Sequence, residues 1–202
     1  AAIRDFEGYT YCDNAPYEVL ATPWLTHAQL LALKRMEDMV EKYHNSGVFQ
    51  TALTHICPHF AHPFAFFEAL ANFFEQQGWH LLSHSQRTLY DHLFTFCQAQ
   101  KQLPMIEIAE AIRFDLLKHH KGVNTPRWAV LKTDATWHQR VFDYLHTQPL
   151  AQYADIAPKN LVKFIHIAPF AVDVLNGKPT AATYLFDYKK TSVLTLDELT
   201  LR

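Results

Sequence analysis

Glycine and cysteine are scarce in this sequence, with 5 and 3 of its 202 residues. A Gly-rich phosphate-binding loop needs closely spaced glycines, and no such cluster occurs. Cys12, Cys57 and Cys97 are odd in number and far apart, which argues against a disulfide framework or an all-cysteine metal site. Gly-x-Ser-x-Gly, His-Glu-x-x-His and Cys-x-x-Cys motifs are absent too. The sequence therefore contains no complete catalytic motif of these kinds.

Excess charge and long apolar runs are also missing. The formal net charge is -2, so the chain has no general attraction for nucleic acid or an anionic membrane. No apolar run approaches the roughly 20 residues that cross a bilayer. The N-terminal segment lacks the basic and apolar blocks of a signal peptide. We expect a cytoplasmic protein without a membrane partner.

Apolar and aromatic residues are abundant instead, at 49% and 14% of the chain, so a sizeable core can form. Residues 26–47 show the clearest helical pattern. Thr26 and Gln29 have the spacing of a capping box, and Gly47 fits a left-handed stop. The apolar stripe consists of Leu30, Leu33, Met36, Val40 and Tyr43, of which we expect the middle three to be buried.

Five further helical segments follow, and residue types that cap or end helices mark their boundaries. The fourth helix of the chain is predicted to begin at a second capping box, formed by Ser83 and Gln86. The other boundary residues are Pro58, Pro63, Gly78, Pro104 and Thr136. We therefore expect about six helices.

The C-terminal quarter is richer in β-branched and aromatic residues. The dipeptide Asn176-Gly177 is a strong hairpin signal between predicted strands at residues 170–175 and 180–188. Two strands alone are only marginally stable, so a third is expected. The candidates for it are residues 161–167 and the neighbourhood of Val193. The predicted fold class is α+β, mainly helical with a small C-terminal antiparallel sheet.

Thirteen histidines are an unusual feature of the composition. Imidazole and thiolate groups together suit zinc or a similar cation. The densest group of such side chains is His55, Cys57, His59 and His62. Its spacing matches no standard ligand template, so surface and packing roles are the alternative. His80 and His84 are four residues apart but lie in a predicted loop.

Two other pairs of side chains have both a functional and an ordinary interpretation. Asp173 and Asp187 would face each other across the hairpin in one register, and paired carboxylates can share a proton or a cation. Otherwise they are surface acids. Asp115 precedes His119 by four residues on a predicted helix, which predicts an ordinary helical ion pair.

Residues 118–132 combine basic side chains with an aromatic ring. The basic residues are Lys118, Lys121, Arg127 and Lys132, and the aromatic residue is Trp128. Such a combination suits single-stranded nucleic acid or a phosphate-bearing ligand. The alternative is a solvated loop between two helices, bent at Pro126 and anchored in the core by Trp128.

Five separated segments carry a resemblance to a known family: PYEVLATPWL, LKRMEDMVEKYHNSG, PFAFFEALANFFEQQGW, AIRFDLLKHHKGVNTPRW and YLFDYKK. In that order they resemble an uncharacterised domain at the C-terminus of cobalamin-binding radical S-adenosylmethionine proteins, often labelled Fe-S oxidoreductases. The likeness extends through most of the chain.

The resemblance implies a larger enzyme with a 4Fe-4S cluster, S-adenosylmethionine and cobalamin as cofactors. The chain itself has no Cys-x-x-x-Cys-x-x-Cys and no Asp-x-His-x-x-Gly, so we expect it to hold none of these cofactors. Its partners would be the radical S-adenosylmethionine and cobalamin-binding domains of the same polypeptide. Residues 1–22 would then be a connector, and residues 23–202 a single α+β accessory domain.

We expect this domain to pack on the catalytic barrel and to help close or line the substrate site, without catalysis of its own. The candidates for substrate contact are Arg113, Asp115, His119, Arg127 and Trp128. The guanidinium of Arg113 suits a carboxylate or phosphate, or else a core acid.

Two alternatives belong to other functional classes. One is a binding module that recruits RNA or protein through residues 118–132. The other is a small histidine-rich metal-binding protein built on the group around Cys57.

Overall fold

A computed structural model describes residues 8–13, 15, 18–122, 125–129, 133–147, 150, 153 and 155–196. The chain divides into two compact units. The N-terminal unit comprises residues 1–47 and 60–84, and the C-terminal unit comprises residues 48–59 and 85–202. Within the described residues, no helix has both the length and the apolar character that crossing a membrane requires. The expectation of a connector followed by one accessory domain stays a prediction.

The N-terminal unit begins with a short antiparallel pair, β1 (Thr10–Tyr11) and β2 (Val19–Ala21). Helix α1 (His27–Met39) follows and continues as a π-helix (Val40–Asn45). Helix α3 (Pro63–Gln76), the third of the chain, packs against α1 and is followed by a 3₁₀ turn. The lead-in around Tyr17 lies partly outside the described residues, and the Trp24 side chain is 76% exposed.

The start and the end of the first helix are confirmed. The Thr26 side chain accepts a hydrogen bond from the backbone N–H of Gln29, and the Gln29 side-chain oxygen accepts one from the Thr26 N–H. Gly47 has a φ of 72°, the left-handed conformation that glycine adopts without strain.

The predicted burial of this helix is only partly correct. Met36 is buried, but Leu33 is 40% exposed and Val40 is half-buried, whereas Met39 is 1% exposed. The helix widens into a π-helix after Met39, so the 3.6-residue period used for the prediction no longer applies at Val40. No described residue covers the Leu33 side chain fully, so it is exposed to solvent.

The C-terminal unit contains the other five helices of the described residues. They are α2 (Gln50–Ile56), α4 (Gln86–Ala99), α5 (Met105–His119), α6 (Trp137–Thr147) and α7 (Pro158–Leu161). Helix α5 packs against both α2 and α4. The predicted cap of α4 is wrong by two residues, because the side chain of Ser85, not Ser83, accepts the hydrogen bond from the Thr88 N–H.

A three-stranded antiparallel sheet completes this unit. Its strands are β3 (Ile165–Phe170), β4 (Ala182–Asp187) and β5 (Ser192–Thr195), in that spatial order. The α+β prediction is confirmed. The candidate strand near Val193 is β5, whereas the candidate at residues 161–167 is correct only from Ile165 onward, because Leu161 ends helix α7. The predicted strand at residues 170–175 is wrong beyond Phe170: residues 171–175 belong to the loop between β3 and β4, which contains a single bridge between Asp173 and Lys178 and has Gly177 at a φ of 61°.

Both faces of this sheet are covered. On one face, α5 contributes Phe114 to a cluster with Phe170 and Tyr184. On the other face, Trp137 and Leu145 of α6 pack with β-strand residues such as Ile167. Strand β4 is therefore buried along all six residues, as expected for a strand covered on both sides.

Candidate functional site

A cavity of about 340 Å³ lies in the C-terminal unit, lined by residues of α5, α6 and β3. Its polar lining residues are Arg113, Thr125, Thr133, His138 and His166. Its larger apolar lining residues are Leu117, Trp137, Val141, Leu145, Val162 and Ile165. Its volume is at the lower end of the range of small-molecule sites, and the mixture of a few polar groups with apolar walls is typical of them.

Arg113 is the charged group of this lining, and its guanidinium is held on three sides. Its Nη2 donates to Glu110 Oε2 at 2.9 Å and to the carbonyl oxygen of Pro169. The guanidinium carbon lies 3.8 Å from the centre of the Phe170 ring, a cation–π contact. Glu110 Oε2 also accepts the backbone N–H of Ala171 at 3.1 Å. The side chain is therefore fixed in one position.

The electrostatics of Arg113 are those of a buried ion pair. Burial lowers the pKa of the guanidinium, and the neighbouring Glu110 carboxylate acts in the opposite direction. Guanidinium groups remain charged in proteins, so the pair persists at neutral pH. The Nε atom of Arg113 is buried and has no hydrogen-bond partner among the described residues. Part of the binding capacity of the guanidinium is thus unused.

Sequence reasoning missed His166 and His138. His166 lies on β3 opposite Phe186, between two buried isoleucines, and its ring is accessible to solvent. Partial desolvation by neighbouring residues lowers the pKa of His166, and the positive charge of Arg113 lowers it further. Both effects favour the neutral imidazole. The sequence did contain a signal for His166, which is a polar residue between two isoleucines. Side chains alternate along a strand, so His166 is expected on the face opposite to Ile165 and Ile167.

Asp115 lies on the other side of α5 and does not line the cavity. Its carboxylate is completely buried, and Oδ2 accepts the backbone N–H of Ala52 at 2.8 Å. Burial raises its pKa to about 6, although hydrogen bonds from Ala52 and Thr51 act in the opposite direction. The predicted helical pairing of Asp115 with His119 is replaced by this contact with α2.

The two histidines that end α5 are also separate from the cavity. Burial lowers the pKa values of both His119 and His120, and nearby cationic side chains add to the effect. The Nε2 atoms of both are buried without a hydrogen-bond partner among the described residues. The His120 ring makes an edge contact with Tyr90, with ring centres 5.6 Å apart. Burial thus favours the neutral form of both rings.

Trp128 anchors its loop on α4, as the ordinary interpretation predicted. Its ring stacks on Phe94 with centres 4.3 Å apart, and Nε1 donates to Asp91 Oδ1 at 2.8 Å. Arg127 beside it is exposed. Of residues 118–132, residues 123–124 and 130–132, including Lys132, lie outside the described part. A nucleic-acid or protein partner for this loop stays a prediction.

The predicted metal candidates have other contacts. His55 Nε2 donates to the carbonyl oxygen of Val174 at 2.8 Å, and His62 Nδ1 caps α3 by accepting the Ala65 N–H at 3.0 Å. Burial raises the pKa of the Cys57 thiol, and His59 is exposed. Among residues that the structure describes, no group of three or more His, Cys, Asp or Glu side chains is arranged to hold a metal ion.

The other predicted pairs do not form a site. Asp187 is paired with Ile165 in the sheet and accepts the Tyr153 hydroxyl at 2.8 Å. Asp173 lies in the loop bridge instead and accepts the Tyr184 hydroxyl at 2.7 Å. These two carboxylates therefore do not face each other. His80 is exposed, and His84 Nε2 donates to the Trp79 carbonyl oxygen.

Of the five predicted substrate-contact residues, the structure places Arg113 at the cavity and distributes the others around the C-terminal unit. Comparison with known proteins gives one informative finding. A family model described as a protein of unknown function (DUF4080) matches residues 6–194. Neither the curated proteins nor the solved structures contain a match.

Proposed function

The chain belongs to the DUF4080 family, a family of unknown function, and we propose that it is the C-terminal accessory domain of a cobalamin-dependent radical S-adenosylmethionine enzyme. In this proposal the iron–sulfur cluster and cobalamin are bound by other domains of the same polypeptide. The present chain contributes binding surface to the substrate, and it carries out no chemistry of its own.

The link to these enzymes is supported by the ordered sequence segments described above. The segments begin at PYEVLATPWL and end at YLFDYKK, and the region that matches the family model includes all of them. A likeness that follows the same order over most of a chain is stronger support than a single short motif.

The observation that carries the substrate-binding role is the position of Arg113. It is the predicted contact residue that lines the cavity, and its guanidinium is held rigidly by Glu110 and Phe170. Rigidly held polar groups in an apolar cavity favour binding, because little side-chain entropy is lost when the ligand arrives. A substrate subsite in the C-terminal unit fits these features.

The first test is the polypeptide itself. The reading frame upstream of Ala1 is expected to encode a Cys-x-x-x-Cys-x-x-Cys motif, and a full-length protein purified without oxygen is expected to contain iron and cobalt. It should also cleave S-adenosylmethionine when reduced. A start codon at Ala1, or a full-length protein without iron and cobalt, contradicts the proposal.

The second test concerns the cavity in that full-length enzyme. Val141 is a half-buried cavity residue on α6, and Val141→Phe fills part of the space. Val193 on β5 is equally half-buried but does not line the cavity, so Val193→Phe is the matched control. We expect kcat/KM to fall about 10-fold or more for the first variant only. Equal turnover of the two variants removes the cavity from the substrate path.

A further inference from the structure

The titratable groups that line the cavity of the C-terminal unit are all basic among the described residues. Its described lining residues include Arg113, His138 and His166 but no aspartate or glutamate. Glu110, the carboxylate beside the cavity, is occupied by Arg113 Nη2 and by the backbone N–H of Ala171. Any charge that the lining carries is therefore positive.

We propose that this cavity binds an amphipathic organic oxyanion, a carboxylate or phosphate ester, with its charged end at Arg113 and His166. The ligand's apolar body lies against the α6 side of the cavity. This inference names the ligand class of the proposed substrate subsite, and in that sense it rests on the proposed function. The binding itself is a property of the present chain alone.

Arg113 forms the polar end of the site. Both hydrogen bonds that the structure shows for its guanidinium leave from Nη2, and Nε is fully buried without a partner among the described residues. Nη1 makes no hydrogen bond to a described residue and is not among the fully buried atoms, so it is the donor that a ligand can reach. A carboxylate or phosphate oxygen there accepts a charge-assisted hydrogen bond. His166 lines the same cavity, close enough to Arg113 for that charge to lower its pKa, and offers a further ring nitrogen.

The α6 side of the cavity forms the apolar end of the site. Trp137, Val141 and Leu145 of α6 line the cavity there, and Ile165 lies at the start of β3. Binding is stabilised by the apolar area that it removes from water, which favours a ligand with a hydrocarbon or aromatic body over inorganic phosphate. A volume of about 340 Å³ limits that body to a small molecule.

A cationic ligand is disfavoured at this site. It would bring a like charge close to Arg113 without a lining carboxylate to compensate. A neutral ligand would leave the Arg113 donors unsatisfied. The order of affinity is therefore expected to be anion, then neutral molecule, then cation.

The test is calorimetric titration of the 202-residue chain with probes that share one apolar body. The probes are phenylbutyrate, phenylbutanol and phenylbutylamine, and phenylbutyl phosphate is the phosphate counterpart. We expect phenylbutyrate to bind about 10-fold or more tightly than phenylbutanol, the usual gain from a charge-assisted hydrogen bond. Phenylbutylamine should bind most weakly. The tighter of the two anions identifies the acid group of the natural ligand.

Two variants and one control variant locate the binding. Val141→Phe is expected to weaken phenylbutyrate about 10-fold or more, while Val193→Phe leaves the affinity unchanged. The double variant Glu110→Gln/Arg113→Gln, which leaves no unpaired buried charge, is expected to abolish the preference for the anion over the alcohol. In the natural protein the ring resonances of His166 should shift on addition of phenylbutyrate.

Several results overturn the inference. They are the absence of binding by either anionic probe, equal affinity for the acid and the alcohol, and binding that survives Val141→Phe unchanged. None of them depends on the iron or cobalt content of a full-length protein. Failure of the ligand assignment can thus be distinguished from failure of the proposed function.

Discussion

Helix α5 has a buried ionisable residue on each of two sides, and the two residues have different surroundings. On the side toward the cavity, Arg113 is paired with Glu110 and lies over the Phe170 ring. Two residues later, on the side toward α2, Asp115 has no opposite charge in its hydrogen-bond contacts and accepts a backbone N–H. Both residues are less than 5% exposed. Burial alone therefore does not decide whether such a group keeps its charge near neutral pH.

The difference between the two sides lies in what compensates the lost hydration. A guanidinium keeps its charge because its intrinsic pKa is far above neutrality, and the partner carboxylate compensates the hydration that burial removes. A carboxylate whose hydrogen-bond donors are all uncharged is compensated only partly, so its pKa rises toward neutrality. The cavity side of α5 thus carries a group that stays charged, Arg113. The α2 side carries a group that titrates near pH 6, Asp115.

The largest expected effect comes from breaking the ion pair on the cavity side. Glu110→Gln leaves the Arg113 cation buried without its counter-charge, and the free energy of unfolding should fall by about 3–5 kcal/mol. Chemical denaturation measures the change. Glu107→Gln, an exposed position on the same helix, is the control and should cost about 0.5 kcal/mol. The double variant Glu110→Gln/Arg113→Gln should recover much of the loss. A single variant no less stable than the control contradicts the buried pair.

A smaller effect, dependent on pH, is expected on the α2 side. Because the pKa of Asp115 is about 6 in the folded protein and 3.8 ordinarily, the folded state binds the proton more tightly. The contribution of this group to stability is full below about pH 4 and is lost as the pH rises through about 6. Asp115→Asn removes the titration, so its stability relative to the natural protein should rise by about 3 kcal/mol over that range.

Denaturation at a series of pH values measures this difference. Asp155→Asn, at an exposed position of the same unit, is the control and should follow the natural protein. A difference between Asp115→Asn and the natural protein that stays constant from about pH 4 to pH 7 shows that Asp115 does not titrate there.

The smallest effect is expected from Tyr90→Phe, which separates hydrogen bonding from charge on the α2 side. The Tyr90 hydroxyl lies 3.3 Å from the carbonyl oxygens of Val48 and Asp115 and donates to the backbone, not to the carboxylate. Its loss should cost about 1 kcal/mol at every pH. The pH dependence should match that of the natural protein, and a flattened profile would show that Tyr90 controls the Asp115 titration.

Local signals predicted most of the helices because capping and stop residues act within one turn. The Thr26–Gln29 box, Pro63 at the first turn of α3 and the left-handed Gly47 depend on neighbours along the chain. The error at α4 has the same origin: Ser83 and Ser85 are equivalent candidates in the sequence, and the path of the chain into the helix selects the second.

The candidate site was less predictable because its parts are distant in sequence. Arg113 was identified from its chemistry, but its neighbours His166 and His138 come from β3 and α6. The register that places Asp187 opposite Ile165, and Asp173 outside the sheet, depends on which faces of the strands are buried. Neither feature is encoded within a short window.

The sequence by itself determined the α+β class, the membership of a family of unknown function and the approximate position of most elements, since these follow from periodicity, caps and similarity to the family model. Tertiary structure alone decided what surrounds each buried charge beyond its own helix. The spacing of three residues along α5 brings Glu110 to Arg113. Only packing brings the Pro169 carbonyl and the Phe170 ring to Arg113, and the Ala52 backbone to Asp115 two positions further on. The physical reason is that compensation of a buried charge is a property of atoms that surround it in space.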